Sequence, residues 1–387
     1  NKSNYNITKE IDMKKLYIIL AALTIFSSQA KGEQFPNISG EMLTEIRGDK
    51  IIEINGADPN INKTAGYLNV ELKSAINFNK EWSLKNSINF LPASRRQYIY
   101  PERSRFILGS EKGINRGVNV DDSSLVVEEI KIAYENEDMK FSAGKINPTF
   151  ATLYRRNKRI GYFITDFTED YEITEQIGYS LSSILEDTEI TLNNFFSDTT
   201  GLSDSGLNGR SKRNRNDNTA GNTGTLSSYS VTIEGRDFFE IDNLFYNVGY
   251  RSLGVNKDVR DLSREVGYTM NLEYLYKLGR STFLIPLMEV VKIENFTGKL
   301  DRDAQYITTS LIFKYQGWNT SASYINRKID NNYAAAPTNN SKDSILQFNI
   351  GYKFKNNIAL DVSRATIEED RAEATAIGII LSYFYEF

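Results

Sequence analysis

The stretch Leu346-Gln347-Phe348-Asn349-Ile350-Gly351-Tyr352-Lys353-Phe354 decides the fold. Successive side chains of a strand point to opposite faces, so Leu346, Phe348, Ile350, Tyr352 and Phe354 share one face and Gln347, Asn349 and Lys353 the other. An ordinary strand has about five or six residues, whereas a strand that crosses hydrocarbon at a tilt needs about nine to eleven. Outward from this stretch the same contrast returns. Leu68, Val70, Leu72, Ile76 and Phe78, interrupted by Ser74, oppose Asn69, Glu71, Lys73 and Asn77. Val266, Tyr268, Met270, Leu272, Tyr274 and Tyr276 oppose Asn271, Glu273 and Lys277, and Ile307, Thr309, Leu311, Phe313 and Tyr315 form another apolar face. A β-sandwich strand also has one dry face, but its other face need not carry charge along such lengths. Beyond the front of the chain no helical period of comparable length is sustained.

The bulk numbers agree with an all-β chain that is not an enzyme. The 387 residues carry a net charge of -4, and Lys2, Lys9, Lys14 and Lys15 against Glu10 and Asp12 leave -6 after residue 30, so no positive field recommends a nucleic-acid partner. Cysteine and histidine are both absent. This removes thiolate and imidazole nucleophiles, the Ser-His pair, and sulfur or imidazole metal sites. No cofactor, metal or catalytic residue is expected. The 23 Tyr and 21 Phe, beside only 2 Trp, suit the aromatic girdles of a membrane barrel.

At the front, Met13-Lys14-Lys15 precedes an apolar run from Leu16 to Phe26 and the small-residue exit Ser28-Gln29-Ala30. Basic start, apolar middle and small exit are the parts of a secretory signal, read over 13-30. Residues 1-12 are read as an upstream extension, and 31-387 as the exported domain. No later stretch is apolar enough to span as a helix.

Connections alternate between short and long. Short turns fall at 78-82, 135-138, 186-188, 277-280, 316-317 and 355-357, with a moderate one at 235-243. Longer connections fall at 92-123, 147-173, 197-227, 251-264, 290-303, 327-343 and 365-373. Short turns on one side and long loops on the other are the signature of a transmembrane antiparallel β-barrel. Adding a first strand from Ile38 to Ile46, extendable to Ile54, gives about 16 strands; fourteen or eighteen follow if the connections near 235-243 or 290-303 are misread.

The last strand presents Ile377, Ile379, Leu381, Tyr383, Tyr385 and Phe387 on one face. It resembles the terminal signature of Gram-negative outer-membrane barrels. That resemblance implies that Tyr383, Tyr385 and Phe387 serve as the signal read by the barrel assembly machinery. Gly144-Lys145-Ile146-Asn147-Pro148-Thr149-Phe150, continued by Thr165-Asp166-Phe167-Thr168-Glu169-Asp170-Tyr171, looks like the region of porin-like proteins where a strand ending in Gly-Lys enters a long loop. What the resemblance implies is an integral outer-membrane channel for passive diffusion of small hydrophilic solutes and ions. It also implies a homotrimer and contact with membrane lipid and lipopolysaccharide. In such families the third outer loop folds inward, and 147-173 is the third here.

That loop supplies the candidate pore constriction: Arg155, Arg156, Lys158 and Arg159, then Asp166, Glu169, Asp170 and Glu172. Opposed charges across a lumen impose a transverse field, and a basic cluster alone leans toward anions. A solvated loop is the plainer reading. Glu71, Lys73, Glu129, Lys131, Glu273 and Lys277 occupy lumen-parity positions and could line a watery passage. Ala372, Ala374 and Ala376 offer a small-residue patch for close contact between barrels. The rival readings are a sealed barrel acting as a surface adhesin or receptor, which the long loops would suit, and an outer-membrane enzyme, which the missing histidine disfavours.

Overall fold

The computed structural model describes residues 35–56, 63–92, 123–156, 160–207, 212–214, 219–237, 241–256, 262–332, 340–369 and 372–387, the side chains of Pro92, Ser123, Arg155 and Arg156 aside. The strands are β1 (Asn37–Asn55), β2 (Thr64–Asn77), β3 (Trp82–Pro92), β4 (Ser123–Glu135), β5 (Met139–Ile146), β6 (Gln176–Leu185), β7 (Thr188–Ser197) and β8 (Ser228–Gly235). They continue as β9 (Leu244–Leu253), β10 (Glu265–Tyr274 and Tyr276–Gly279), β11 (Thr282–Glu294), β12 (Arg302–Tyr315), β13 (Trp318–Asn331), β14 (Ser341–Lys353), β15 (Ile358–Glu369) and β16 (Ala372–Glu386). The two pieces of β10 flank Leu275 and both pair with β11, so seventeen segments make sixteen strands.

Each strand pairs antiparallel with its sequence neighbours, and β16 pairs with β1 from Glu41↔Glu386 to Asn55↔Glu373. The ring is closed. Gly40 and Phe387 complete the seam by exchanging both backbone hydrogen bonds, at 2.9 and 3.0 Å. A Cβ on Gly40 would sit 2.6 Å from Phe387 Cζ, so glycine there lets the terminal ring lie across the first strand. Closure satisfies every edge, which hydrocarbon demands because it offers no water to unpaired N–H and C=O groups.

The short turns have local causes. Asn79 Oδ1 accepts from the N–H of Glu81 and of Trp82, and Asn136 Oδ1 accepts from Asp138 and Met139 in the same way. Such side chains replace a backbone turn bond. Glu186, Gln316 and Asn357 reverse the chain at positive φ. On the other side several expected loops are shorter than read: 365-373 contracts to the gap between Glu369 and Ala372, and 327-343 to that between Asn331 and Ser341. Strands β13 to β16 extend into these stretches, so polar residues taken for loop are strand.

The outer wall is apolar. Met288, Leu311, Phe313, Leu346, Phe348, Ile350, Ile377, Ile379 and Leu381 are all exposed on it, an arrangement stable only against lipid. Aromatic pairs flank this band. Trp82 with Tyr134, Trp318 with Tyr352 and Tyr385 with Phe387 stand near the short turns, and Tyr229, Tyr250 and Tyr268 near the long loops.

Ala372, Ala374 and Ala376 do not lie on the outer wall. All three are buried in the apolar cluster inside the barrel, because their parity is opposite to that of Ile377 and Ile379. They cannot mediate contact between barrels.

Candidate pore and its inner loop

The described residues of 147–175, those at 147–156 and 160–175, leave the top of β5 and run along the inside of the barrel before β6 begins. This segment carries α1 (Leu153–Arg156), α2 (Ile164–Thr168) and a 3-10 turn at Glu169–Tyr171. Phe150, Leu153, Tyr162, Phe163, Ile164, Phe167 and Tyr171 are buried against inward-facing residues of the wall. Full burial of such side chains contributes roughly 1.5–3 kcal/mol each. The receiving wall is apolar as well: Ile285, Leu287, Val291 and Ile293 on β11, Ile312 on β12, Ile325 on β13, Ile345 on β14 and Ile367 on β15. Glycines make room for the rings. Tyr162 lies over Gly378 and the Phe150 ring against Gly267, while Gly249 makes room for the Phe150 carbonyl.

Four polar docks fix the segment's path. Glu289, in the middle of β11, is buried, and its Oε2 accepts from Thr152 N–H (2.9 Å), Thr152 Oγ1 (3.0 Å) and Leu153 N–H (3.1 Å). Its Oε1 accepts from the Tyr171 hydroxyl at 2.7 Å. The carboxylate thus satisfies free amides at the start of α1, where no intrahelical partner exists. Arg251 donates to the Tyr171 carbonyl (2.6 Å), pairs with Glu265 (2.6 Å) and lies 4.7 Å over the Phe150 ring. Arg327 meets Asp170 (3.0 Å), Asp343 (2.9 Å) and Glu369 (3.0 Å), with its guanidinium 3.9 Å over Phe167. At Ile160 the carbonyl accepts from Ser321, Ser323 and Gln347, Phe163 N–H donates to Gln347, and the Tyr162 hydroxyl donates to Asp49 at 3.0 Å.

The exit of the segment is latched too. Lys145 Nζ meets Glu175 (3.1 Å), Asp198 (2.9 Å) and the Leu202 carbonyl (2.8 Å), which ties β5 to the loops on both sides of β6 and β7. Burial alone would raise the Asp198 carboxyl, but hydrogen bonds from Thr200 and Lys145 outweigh it and hold the group below its ordinary range. Tyr171 moves the other way: burial, then the neighbouring Glu289 carboxylate, raises its hydroxyl well above the usual tyrosine value. It stays a donor.

The opposite wall, β1 to β4, is different. Several of its inward charges are paired and partly exposed, Lys73 with Glu41 (3.1 Å) and Glu71 (2.9 Å) and Lys131 with Glu129 (2.8 Å), while Arg47 pairs with the buried Glu45 (2.8 Å), and higher on β1 Asp49 and Ile51 are buried under the inner segment. Lys73 and Glu41 remain 43% and 42% exposed at the side chain, and the apolar outer face of β2 is Leu68, Val70 and Leu72, so this exposure is to the lumen. The inner segment reaches this wall where Asn147 N–H donates to Glu129.

The sequence candidates are therefore divided. Asp170 docks the segment on Arg327 and Tyr306; Asp166 sits in α2 and Glu169 in the following turn, both half-buried. Arg155 and Arg156 form the end of α1, but their side chains, and all of Lys158 and Arg159, lie outside the described residues. Glu71, Lys73, Glu129 and Lys131 gather on one wall. Glu273 has inward parity and is half-buried, while Lys277 lies past the break at Leu275, exposed near the short turn. Tyr383 and Tyr385 project outward at the band's lower edge beside the seam. Sequence reasoning missed Glu289, Arg251, Arg327, Lys145 and Gln347. Glu289 had left a signal, as an acid inside the otherwise apolar Ile285-Pro286-Leu287-Met288-Glu289-Val290-Val291.

No protein family and no curated protein matches the sequence. Solved structures do match. The outer membrane channel DcaP of Acinetobacter baumannii has a TM-score of 0.56 at 12% identity, covering 90% of this chain and 96% of that one. OmpF of Salmonella typhi, in complex with daunomycin, has 0.57 at 10% identity, covering 90% and 97%. The trimer form of OmpT, an outer membrane protein of Vibrio cholerae, has 0.51 at 10% identity, covering 90% and 98%. At such identities the likeness is one of fold, and it agrees with the closed ring and the apolar outer wall: the chain is a transmembrane β-barrel with the fold of the outer-membrane porins.

Proposed function

We propose that this barrel is an outer-membrane channel for passive diffusion of small hydrophilic solutes, and that the inner segment 147–175 narrows it. One observation carries the reading. The segment packs on the apolar inner wall from β11 to β16 and the upper part of β1, while Glu41, Lys73, Glu129 and Lys131 on β1, β2 and β4 remain partly exposed charges of both signs inside the barrel. A sealed barrel acting only as an adhesin has no need of a wet, charged inner wall. Nor does the charge pattern suggest catalysis, since its members are already paired.

Single-channel recording in planar bilayers tests this. Stable stepwise conductance is expected, and a barrel that inserts without conducting would overturn it. The selectivity reading rests on Arg155, Arg156, Lys158 and Arg159, bracketed in sequence by the lumen-buried Leu153 and Ile160. Replacing all four with glutamine lowers the anion-to-cation permeability ratio; an unchanged ratio removes the anion preference. The trimer form of the Vibrio cholerae relative favours a homotrimer here, to be checked by the mass of the folded complex in detergent.

A further inference from the structure

Near the short turns the inner face of β3 and β4 holds charges of both signs in direct contact. Lys85 on β3 and Lys131 on β4 are cross-strand neighbours. They lean to different acids. Lys131 meets Glu129 at 2.8 Å, farther from the turn, and Lys85 meets Glu135 at 2.6 Å, beside the turn. Ile130 and Ile132 are exposed on the outer wall, which puts Glu129, Lys131 and Glu135 inside, and Lys85 shares their face through its pairing.

These groups keep bonding capacity. The side chains of Lys85 and Glu135 are 33% and 49% exposed, those of Lys131 and Glu129 21% and 18%. An ammonium group has three donors, and among the described residues Lys85 and Lys131 each spend one. Glu135 accepts through one oxygen, and both bonds to Glu129, from Lys131 and from the Asn147 N–H, go to Oε1. Like charges directly across a strand pair repel. A carboxylate set between Lys85 and Lys131 relieves that repulsion.

The flanking acids decide which carboxylate fits. Two lysines and two glutamates carry no net charge, so a simple anion is repelled by the acids about as strongly as the lysines attract it. A solute with both charges opposes both signs at once. In an α-amino acid one carbon separates the ammonium nitrogen from the carboxylate, about 3 Å from N to O. Lys131 and Glu129 are spaced alike, at 2.8 Å. Laid beside that pair, the solute closes a square of alternating charge.

We infer that Lys85, Lys131, Glu129 and Glu135 form a docking site for the zwitterionic head of α-amino acids at the short-turn end of the barrel. The solute carboxylate bridges the two lysines, and its ammonium group reaches the second oxygen of Glu129 or Glu135. The site rests on the channel reading and deepens it by naming a class of solute.

The test is efflux of labelled serine, glycerate and erythritol from proteoliposomes that hold the full barrel. The three are close in size and are a zwitterion, an anion and a neutral polyol. Two exposed ion contacts of ordinary strength are together worth about fivefold in occupancy, so serine leaves about fivefold faster than erythritol. Lys85→Gln with Lys131→Gln brings that ratio to about one. Lys85→Glu with Glu135→Lys exchanges the charges, keeps both signs, and retains the serine preference. Each ratio is taken within one variant, whose erythritol efflux shows that it has folded and inserted. A parent ratio below roughly twofold, or a double glutamine variant that keeps the parent ratio, overturns the site. A loss confined to glycerate overturns the assignment to amino acids and leaves a simple anion site. Efflux of all three without a serine preference sinks this site alone, whereas no efflux of any sinks the channel reading and the site with it.

Discussion

Glu289→Ala isolates what holds the inner segment at its first helical turn. The side chain accepts four hydrogen bonds, two from backbone amides that cannot turn elsewhere and two from the Thr152 and Tyr171 hydroxyls, which can. A buried donor left without a partner costs about 1–3 kcal/mol. Two stranded amides, with the hydroxyls reoriented, therefore cost about 4 kcal/mol. At about 1.4 kcal/mol per factor of ten, protection of the Thr152 and Leu153 amides against hydrogen exchange falls roughly a thousand-fold. The barrel amides of β10 to β12 keep theirs, since the sheet hydrogen bonds are unaffected. Glu289→Gln separates charge from shape: the amide oxygen still takes both backbone donors, and the Tyr171 hydroxyl rotates to accept from the new N–H. Its cost is about 1 kcal/mol. In bilayers the alanine variant gives noisier or larger openings, and the glutamine variant stays near the parent. Alanine-variant protection within tenfold of the parent would refute the assignment of Glu289 as the dock.

Alkaline pH addresses the same site from the other side. The folded Tyr171 hydroxyl is raised above the ordinary value near 10, so its contribution is complete below that pH and is lost as pH rises through the folded value; Tyr171→Phe abolishes this part of the alkaline loss of amide protection. Gly378→Ala puts a Cβ 2.6 Å from Tyr162 Cγ, which displaces the ring and its 3.0 Å bond to Asp49. Overpacking of this kind costs about 1–3 kcal/mol, read as a lower midpoint of urea unfolding that Tyr162→Ala relieves in the double variant. Arg327→Leu leaves Asp170, Asp343 and Glu369 facing one another in a buried site, a loss of about 3–5 kcal/mol, and urea unfolding by the same measure distinguishes it from a silent change.

Strand parity was legible because lipid and water make opposite demands on the two faces. Leu346 to Phe354 obeys that rule residue by residue, and the pairing of β14 with β13 and β15 follows it. The strand number was legible from the turns, where Asn79 and Asn136 leave little room to misread a reversal. What could not be read was how far the strands rise. Residues such as Arg327, Asp343 and Glu369 are polar, so they look like loop, yet they belong to strands whose upper ends are held by ion pairs inside the barrel. Side-chain identity records polarity, and not whether the polar partner is water or arginine. The alanines at 372, 374 and 376 illustrate a different limit: composition suggested contact with another chain, whereas alternation from Ile377 already put them inside.

The same two-face logic explains why the inner segment lies where it does. Most barrel strands here are apolar on one face, but β11 is apolar on both. Leu284, Pro286, Met288 and Val290 point to lipid, and Phe283, Ile285, Leu287, Val291 and Ile293 point inward. A strand apolar on both faces needs a dry cover on each. Lipid supplies one cover, and an aqueous lumen could not supply the other without exposing about five large aliphatic and aromatic side chains to water. At roughly 1.5–3 kcal/mol for each burial, the inner segment lowers the free energy most by covering β11 and its neighbours. Covering β2 instead would bury Glu71 and Lys73 and strip their water. The segment is thus drawn to one wall by apolar area and kept from the other by charge. That asymmetry leaves the paired inward charges Glu41, Lys73, Glu129 and Lys131 on β1, β2 and β4 partly exposed inside the barrel.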